Sequence, residues 1–139
     1  MDKRLRGQDA AVKRLRMAVH MGRVAHAYLF TGPAGVGKHT MALSFARALL
    51  CAAPVEGIAC EKCHSCQLFA GSGHPDLHTV AGGEAVIGID QVRWLASSLG
   101  QKPFYRRHVV VIDAAERATI QAQNAFLKML EESCGDAVF

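Results

Sequence analysis

Residues 32 to 38 read Gly32-Pro33-Ala34-Gly35-Val36-Gly37-Lys38 and match the pattern G-x-x-x-x-G-K of a phosphate-binding loop. In that pattern the glycines let backbone N–H groups curl around phosphate oxygens, and the lysine adds a point charge for the terminal phosphates. The pattern is informative between a buried strand and the start of a helix, because the helix dipole also favours an anion there.

The residues on both sides of the loop predict that context. Before it, Ala27-Tyr28-Leu29-Phe30-Thr31 is apolar and β-prone, so we predict a strand buried on both faces of a parallel sheet. After it, apolar residues recur at i, i+4 and i+8 from residue 38 to residue 50, which predicts a helix packed on that sheet.

The other segments alternate between helix and strand patterns. Thr119 is expected to cap the last helix, whose apolar residues cover more than one face and predict burial on two sides. Strands that alternate with helices predict a three-layer α/β domain with a mainly parallel sheet. Together with the phosphate-binding loop, this predicts a P-loop NTPase domain. The remaining elements are predicted as a helix at 9–22, a strand at 76–80, a helix at 89–99, a strand at 108–113, a helix at 119–132 and the start of a strand at 136–139.

The magnesium position after the loop lysine departs from the pattern. His39 stands where a serine or threonine would offer a hydroxyl to Mg²⁺, and Thr40 comes one residue late. A shift of one residue turns a helical side chain by about 100°, so Thr40 does not simply replace the missing ligand. We therefore expect ATP and Mg²⁺ to bind more weakly than in an active P-loop enzyme.

A second nucleotide motif is predicted where the strand of residues 109 to 113 ends in Asp113, a candidate for holding Mg²⁺. Active ATPases of this kind follow that aspartate with a glutamate that polarises the attacking water, but here Ala114 follows and Glu116 lies too far along. We expect hydrolysis to be very slow or absent, and we predict no catalytic residue. The predicted nucleotide-binding residues are Gly32, Gly35, Val36, Gly37, Lys38, His39, Thr40 and Asp113.

Four of the five cysteines form C-x8-C-x2-C-x2-C, with Cys51, Cys60, Cys63 and Cys66 as candidate ligands. Four thiolates that converge on a tetrahedron suit structural zinc. The sequence Cys60-Glu61-Lys62-Cys63-His64 also matches c-type haem attachment, and C-x2-C-x2-C occurs in iron–sulfur ferredoxins, but the first leaves Cys51 and Cys66 unexplained and the second lacks a cysteine and proline after Cys66. Zinc is the prediction, and Cys134 is expected to be an ordinary free cysteine.

Composition narrows the class of protein. Half of the 139 residues are hydrophobic, the net charge is +4, and basic residues crowd the first 23 positions. A solvated helix face explains that cluster, and direct contact with DNA stays open. No apolar run approaches the roughly 18 residues of a membrane span, and no secretory signal is seen, so we expect no membrane association and a cytoplasmic location.

Several motifs together resemble the AAA+ clamp-loader subunits of bacterial DNA polymerase III. They are the run from His26 to Pro33, the phosphate loop, the four cysteines, Gly73-His74-Pro75-Asp76, and the segment from Asn124 to Glu132. Within that family Lys38-His39 and Asp113-Ala114 resemble the degenerate delta-prime type more than the gamma/tau motor. His74 and Asp76 are read as a turn into a strand, and His78 and His108 are assigned no role.

The resemblance implies a scaffold subunit that does not hydrolyse ATP. Its partners would be gamma/tau and delta in a hetero-pentamer, and the complex would load the sliding clamp onto primed DNA during replication. Residues 1 to 139 would be an incomplete N-terminal domain with a zinc module at about 51 to 66. The alternatives are an active ATPase motor of the gamma/tau type and a zinc-bearing small-molecule kinase, for which no acceptor site is recognised.

Overall fold

A computed structural model describes residues 7–71, 73–81, 85–132 and 135–139. The chain is a small α/β protein that divides into two compact units, unit 1 at Met1–His74 and unit 2 at Pro75–Phe139. Unit 1 contains the helices α1, Asp9–His20, α2, Lys38–Leu50, and α3, His64–Ala70. Unit 2 contains the strands β1, Leu77–Ala81, and β2, Val109–Asp113, the helices α4, Ile89–Leu99, and α5, Ile120–Glu131, and a short 3-10 helix at Ala115–Arg117.

Helix α2 is the core of unit 1 and begins and ends where the sequence periodicity predicts. Its buried residues are Met41, Phe45, Ala46, Ala48, Leu49 and Leu50, so it is covered over much of its circumference. Helix α1 is also confirmed, although it buries Leu15 alone. Met21 follows it, and Gly22 then leaves the helix with a φ of +65°.

The buried strand predicted for residues 27 to 31 was wrong. These residues form no regular structure, and Leu29 is 84% exposed. A strand needs a neighbour that accepts and donates its ladder hydrogen bonds. Among the described residues of unit 1 the long elements are all helices, so this apolar run has no strand beside it within the unit.

The sheet of unit 2 is parallel, as predicted. Leu77 of β1 is paired with Val109 of β2, and the register continues to Ala81 and Asp113. The strand predicted for residues 136 to 139 is present as a single parallel bridge, because Val110 N donates to Val138 O at 2.8 Å and Val138 N donates to His108 O at 3.0 Å. Parallel strands need a crossover, and α4 lies in the segment that connects β1 to β2.

Helices α4 and α5 pack together in unit 2 through one apolar face each. Thr119 caps α5 as predicted, because its hydroxyl accepts a hydrogen bond from Ala122 N at 3.2 Å. The prediction that α5 is buried on two sides was wrong, since Ile120 and Leu127 are 75% and 57% exposed. The buried core consists of Val80, Ile87, Val92, Leu95, Leu99, Val110, Ala118, Ala122, Phe126, Met129 and Ala137.

Some sequence predictions fall on residues outside the described ranges. These are the free cysteine Cys134 and the first basic residues of the N-terminal cluster, Lys3, Arg4 and Arg6. Across the described ranges, no helix combines the length and the apolar character needed to cross a membrane.

Candidate metal centre and glycine loop

The four predicted ligands converge at the end of α2 in unit 1. Cys51 directly follows α2, Cys63 precedes α3, Cys66 lies in the first turn of α3, and Cys60 lies in the loop between them. All four sulfur atoms are within 4.8 Å of one another, and the Sγ atoms of Cys51 and Cys63 are 3.9 Å apart. A tetrahedral ion with Zn–S bonds of about 2.3 Å places its sulfurs about 3.8 Å apart. The four cysteines are therefore close enough to hold one metal ion.

Backbone N–H groups point at three of the sulfurs. Cys60 N donates to Cys51 Sγ at 3.3 Å, Cys63 N donates to Cys60 Sγ at 3.4 Å, and Cys66 N donates to Cys63 Sγ at 3.5 Å. Donors of this kind favour the thiolate over the thiol, because they stabilise negative charge on sulfur. The loop backbone is thus arranged to support thiolate ligands.

The four thiols differ in pKa. Burial raises the pKa of Cys66 to about 12 and also raises the pKa of Cys51. Burial opposes ionisation of Cys63 too, but hydrogen bonds from backbone N–H groups outweigh it and lower its pKa to about 6. The pKa of Cys60 is lowered by backbone N–H groups, that of Lys62 first. A soft divalent cation suits this all-sulfur donor set, and it would displace the protons of the buried thiols.

A hydrogen-bonded pair that the sequence reasoning missed joins residues 51 to 66, which we call the cysteine module, to α2. Ser65 lies between two candidate ligands, and its hydroxyl donates to Leu50 O at 2.6 Å. The ring of His74 is 2.8 Å from the same hydroxyl through Nε2. Because the hydroxyl proton goes to Leu50 O, we assign the shared proton of the second bond to His74. Both side chains are buried, so His74 has a structural role, as predicted.

The glycine loop, residues 32 to 38, turns sharply into α2. Gly32, Gly35 and Gly37 have φ values of +146°, +77° and +94°, a region that side chains disfavour. The ammonium of Lys38 donates to Gly32 O at 2.8 Å and to Pro33 O at 2.9 Å. These bonds hold the positive charge of Lys38 over the loop, at the N-terminus of a 13-residue helix.

A cleft of about 300 Å³ opens beside this loop. Its walls combine the loop with residues from α2 and from the start of α1. That size is at the lower end of small-molecule sites, which are typically about 300–1,000 Å³. The lining residues are Gln8, Ala11, Leu29, Phe30, Thr31, Gly32, Pro33, Val36, Gly37, Lys38 and Met41.

The structure brings five of the predicted nucleotide-binding residues, Gly32, Gly35, Val36, Gly37 and Lys38, into the glycine loop and the first residue of α2. His39 and Thr40 follow in the first turn of α2, with His39 exposed and Thr40 partly buried. Asp113 belongs to unit 2, where it ends β2 with an exposed side chain. Ala114 comes next with a φ of +54° and leads into the 3-10 helix.

The buried side chain of Asp76 also has a structural role in unit 2. It is fully buried and accepts hydrogen bonds from the backbone N–H groups of Phe104 at 2.7 Å and Tyr105 at 2.8 Å. The predicted turn into a strand is confirmed, since β1 begins at the next residue. The sequence reasoning did not foresee that the turn fixes a distant loop, because nothing local pairs residue 76 with residue 104.

Comparison with known proteins adds an independent observation. Residues 7–139 match the family described as DNA polymerase III, delta subunit. The chain is 44% identical over 117 residues to DNA polymerase III subunit delta′ of Pseudomonas aeruginosa, which covers 82% of this chain and 36% of that protein.

Two further relatives cover almost the whole chain. It is 33% identical over 134 residues to subunit delta′ of Bacillus subtilis, covering 94% of this chain and 40% of that protein. It is 34% identical over 135 residues to subunit gamma/tau of Mycobacterium bovis, covering 96% of this chain and 23% of that protein. The chain therefore spans well under half the length of these relatives.

Proposed function

Because this chain belongs to the DNA polymerase III delta-subunit family, we propose that it is the N-terminal part of a delta-prime type clamp-loader subunit. Residues 1 to 139 would form part of an AAA+ P-loop domain of three layers, with the zinc module at about 51 to 66. The proposal is supported by family membership and by two delta′ relatives.

The proposed role is that of a scaffold that does not hydrolyse ATP. Ala114 carries this proposal, because it stands directly after Asp113, where an active ATPase of this class needs a carboxylate to polarise water. A methyl group neither accepts a proton nor orients a water molecule. His39 also argues against hydrolysis, because it stands after Lys38 where active P-loop enzymes offer a hydroxyl to Mg²⁺.

Nucleotide binding is a separate proposal from hydrolysis. We place the phosphates at the glycine loop, where the Lys38 ammonium and the N-terminus of α2 supply positive charge. The rest of the nucleotide would lie in the adjoining cleft, against Gln8 and Ala11 of the α1 region. Binding of ATP with Mg²⁺ is expected to be weak.

We further propose zinc as the ion of the four cysteines, in a structural site without an open position. Four sulfurs leave no place for water or substrate, so the ion would organise the loop and take part in no reaction. Residues Cys51, Cys60, Cys63 and Cys66 would be the complete ligand set.

The proposed partners are gamma/tau and delta subunits in a hetero-pentamer in the cytoplasm. Through that complex the protein would help load the sliding clamp onto primed DNA. The relatives are named as subunits of DNA polymerase III, and we propose the same assembly for this chain.

The experiment that tests the proposal uses the full-length protein, alone and mixed with gamma/tau and delta from the same organism. We expect a stable complex that loads clamps, with nucleotide binding to this subunit reduced by Lys38→Ala and no phosphate release from it. Steady phosphate release that Lys38→Ala abolishes would contradict the scaffold role. Failure to assemble with the other subunits would contradict the clamp-loader role.

The second candidate is an active motor of the gamma/tau type. It is favoured by the 34% identity to the Mycobacterium bovis gamma/tau subunit across 96% of the chain. The same phosphate-release measurement separates the two candidates, because a motor would turn over ATP and the scaffold would not.

A further inference from the structure

The eight residues between Cys51 and Cys60 contain a tight hairpin. Val55 and Ile58 exchange two backbone hydrogen bonds, each of 2.9 Å. The two residues between them, Glu56 and Gly57, have φ values of +50° and +76°, which is the pattern of a type I′ turn. The spacer between the first two candidate ligands is therefore an ordered element, which we call the 55–58 hairpin.

Gly57 at the tip of the 55–58 hairpin lies directly on the backbone of α1. A Cβ atom at this position would overlap the carbonyl oxygen of Arg16 and lie 2.7 Å from its Cα and carbonyl carbon. Those are helix backbone atoms, which cannot turn aside as a flexible side chain can. Glycine is thus required here by close approach as well as by its positive φ.

The side chain of Arg16 fastens the same contact. Its Nε donates to Glu56 O at 3.2 Å, and a terminal nitrogen lies 3.3 Å from a carboxylate oxygen of Glu56. Because Glu56 is largely exposed, the ion pair adds little stability by itself. Together with the Gly57 contact, however, it fixes where the hairpin tip touches α1.

Helix α1 packs on α2 but fully buries Leu15 alone, so the hairpin contact gives it a second anchor. The same helix reaches the cleft beside the glycine loop, where Gln8 and Ala11 form one wall. Residue 16 is about 12 Å along the helix axis from residue 8, at 1.5 Å per residue. A rigid helix therefore carries a constraint at Arg16 to that wall.

We infer that Arg16 and Gly57 are positioning residues, through which the cysteine module holds α1 against the nucleotide cleft. Metal ligation by Cys51 and Cys60 would close the base of the loop that carries the hairpin, and the hairpin tip would then set the position of α1. This inference rests on the proposed function, because its ligand is the nucleotide that we propose binds at the glycine loop. It predicts that metal bound in unit 1 strengthens nucleotide binding in the same unit without touching the nucleotide.

The test compares two glycine substitutions in the full-length protein. Gly57→Ala adds a methyl group that meets the α1 backbone, whereas Gly22→Ala adds one at a similar φ of +65° with no atom within 4 Å. Both carry the strain of a positive φ, and Gly22→Ala places that strain directly at the end of α1. A larger effect of Gly57→Ala on α1 is therefore due to the contact with Arg16. Arg16→Met, with the exposed Arg14→Met as its control, tests the contact without altering any glycine.

Three quantities are measured for each variant: bound zinc, amide hydrogen exchange of residues 9 to 20, and the Kd of a fluorescent ADP analogue. For Gly57→Ala we expect zinc to be retained, exchange in α1 to quicken, and the Kd to rise about two- to thirty-fold, the usual range for such coupling. Arg16→Met should also quicken hydrogen exchange in α1 and raise the Kd of the analogue, but by less than Gly57→Ala does. Removing zinc from the native protein should reproduce the effect of Gly57→Ala.

The inference and the proposed function fail differently. Suppose that the native protein binds the analogue and that Lys38→Ala abolishes this binding; the nucleotide site then stands. If Gly57→Ala and Gly22→Ala nevertheless give the same Kd and the same hydrogen exchange, the inference about Arg16 and Gly57 is overturned. If Lys38→Ala leaves the Kd of the analogue unchanged, the proposed nucleotide site is overturned. In that case faster exchange of α1 in Gly57→Ala and in zinc-free protein still supports the positioning contact.

Discussion

The ring nitrogen Nε2 of His78 lies 3.1 Å from Nδ1 of His108, and both rings are buried in unit 2. Nε2 of His108 is 2.9 Å from Gln101 O, a carbonyl that can only accept. Nε2–H of His108 therefore donates to this carbonyl, and Nδ1 of a singly protonated His108 ring accepts the Nε2–H of His78. Burial, and then the neighbouring His108, lower the pKa of His78 below its ordinary value, while Asp76 acts in the opposite direction.

This pair predicts that unit 2 loses stability in acid. A histidine whose folded pKa is lowered binds protons more readily in the unfolded state. The folded state therefore keeps its full stability above the unfolded pKa of about 6.5, and loses stability as the pH falls below that value. We expect the free energy of unfolding to fall between pH 7 and pH 5, and His78→Gln to flatten that slope. Urea unfolding followed by fluorescence of Trp94, the single tryptophan of the sequence, measures it.

The matched control is His20→Gln, because His20 is exposed and lies in unit 1. It should leave the slope of stability against pH unchanged. An equal slope for native protein and His78→Gln would show that the buried pair does not cause the acid sensitivity.

Asp76→Ala should destabilise unit 2 strongly. The substitution removes the acceptor of two backbone N–H groups, those of Phe104 and Tyr105, from a fully buried position. We expect a loss of about 2–6 kcal/mol in the free energy of unfolding, since each of the two donors left without its acceptor costs about 1–3 kcal/mol. Asp90→Ala removes an exposed ion pair with Arg93 and should cost less than about 1 kcal/mol. Equal losses for the two variants would contradict the assigned role.

Cys66→Ser should remove the metal. Purified protein prepared without added metal is expected to contain one zinc ion per chain, and the variant far less, because a hydroxyl is a poor substitute for a thiolate ligand. Elemental analysis gives the metal content. Cys134→Ser is the matched control, since Cys134 lies outside the four-cysteine motif, and it should keep its zinc. Full zinc content in Cys66→Ser, or iron in place of zinc, would refute the assignment.

His39→Thr should strengthen nucleotide binding only when Mg²⁺ is present. The substitution returns a hydroxyl to the residue after Lys38, where P-loop proteins bind the ion. We expect a lower Kd for ATP with Mg²⁺ and no change in EDTA, with fluorescent ATP analogues as the probe. An equal gain with and without the ion would mean that His39 affects binding through shape or charge, and not through the missing ligand.

Predictions from local sequence patterns were confirmed for elements whose structure depends on residues nearby in the chain. The helix at residues 38 to 50 was predicted from apolar spacing, the cap at Thr119 from residue type, and the strand ending at Asp113 from an apolar run. Each depends on neighbours a few positions away in the chain. The cysteine spacing likewise predicted which four sulfurs converge, since short spacers limit how far apart they can be.

Predictions that needed a distant partner were wrong or were not made. An apolar run such as residues 27 to 31 becomes a strand only if another edge is available. In the described part of unit 1 the long elements are all helices, and Leu29 is exposed. The two-sided burial of α5 failed for the same reason, since a helix buries a face only against something that covers it.

The sequence by itself determined the family, the glycine loop followed by His39, and the four cysteines that converge, because these are properties of residue type and short spacing. Only the tertiary structure decided that Gly57 lies on Arg16, that Asp76 fixes Phe104, and that His78 meets His108. Those contacts join residues 28 to 41 positions apart, and such pairing is set by how the elements pack and not by any local preference.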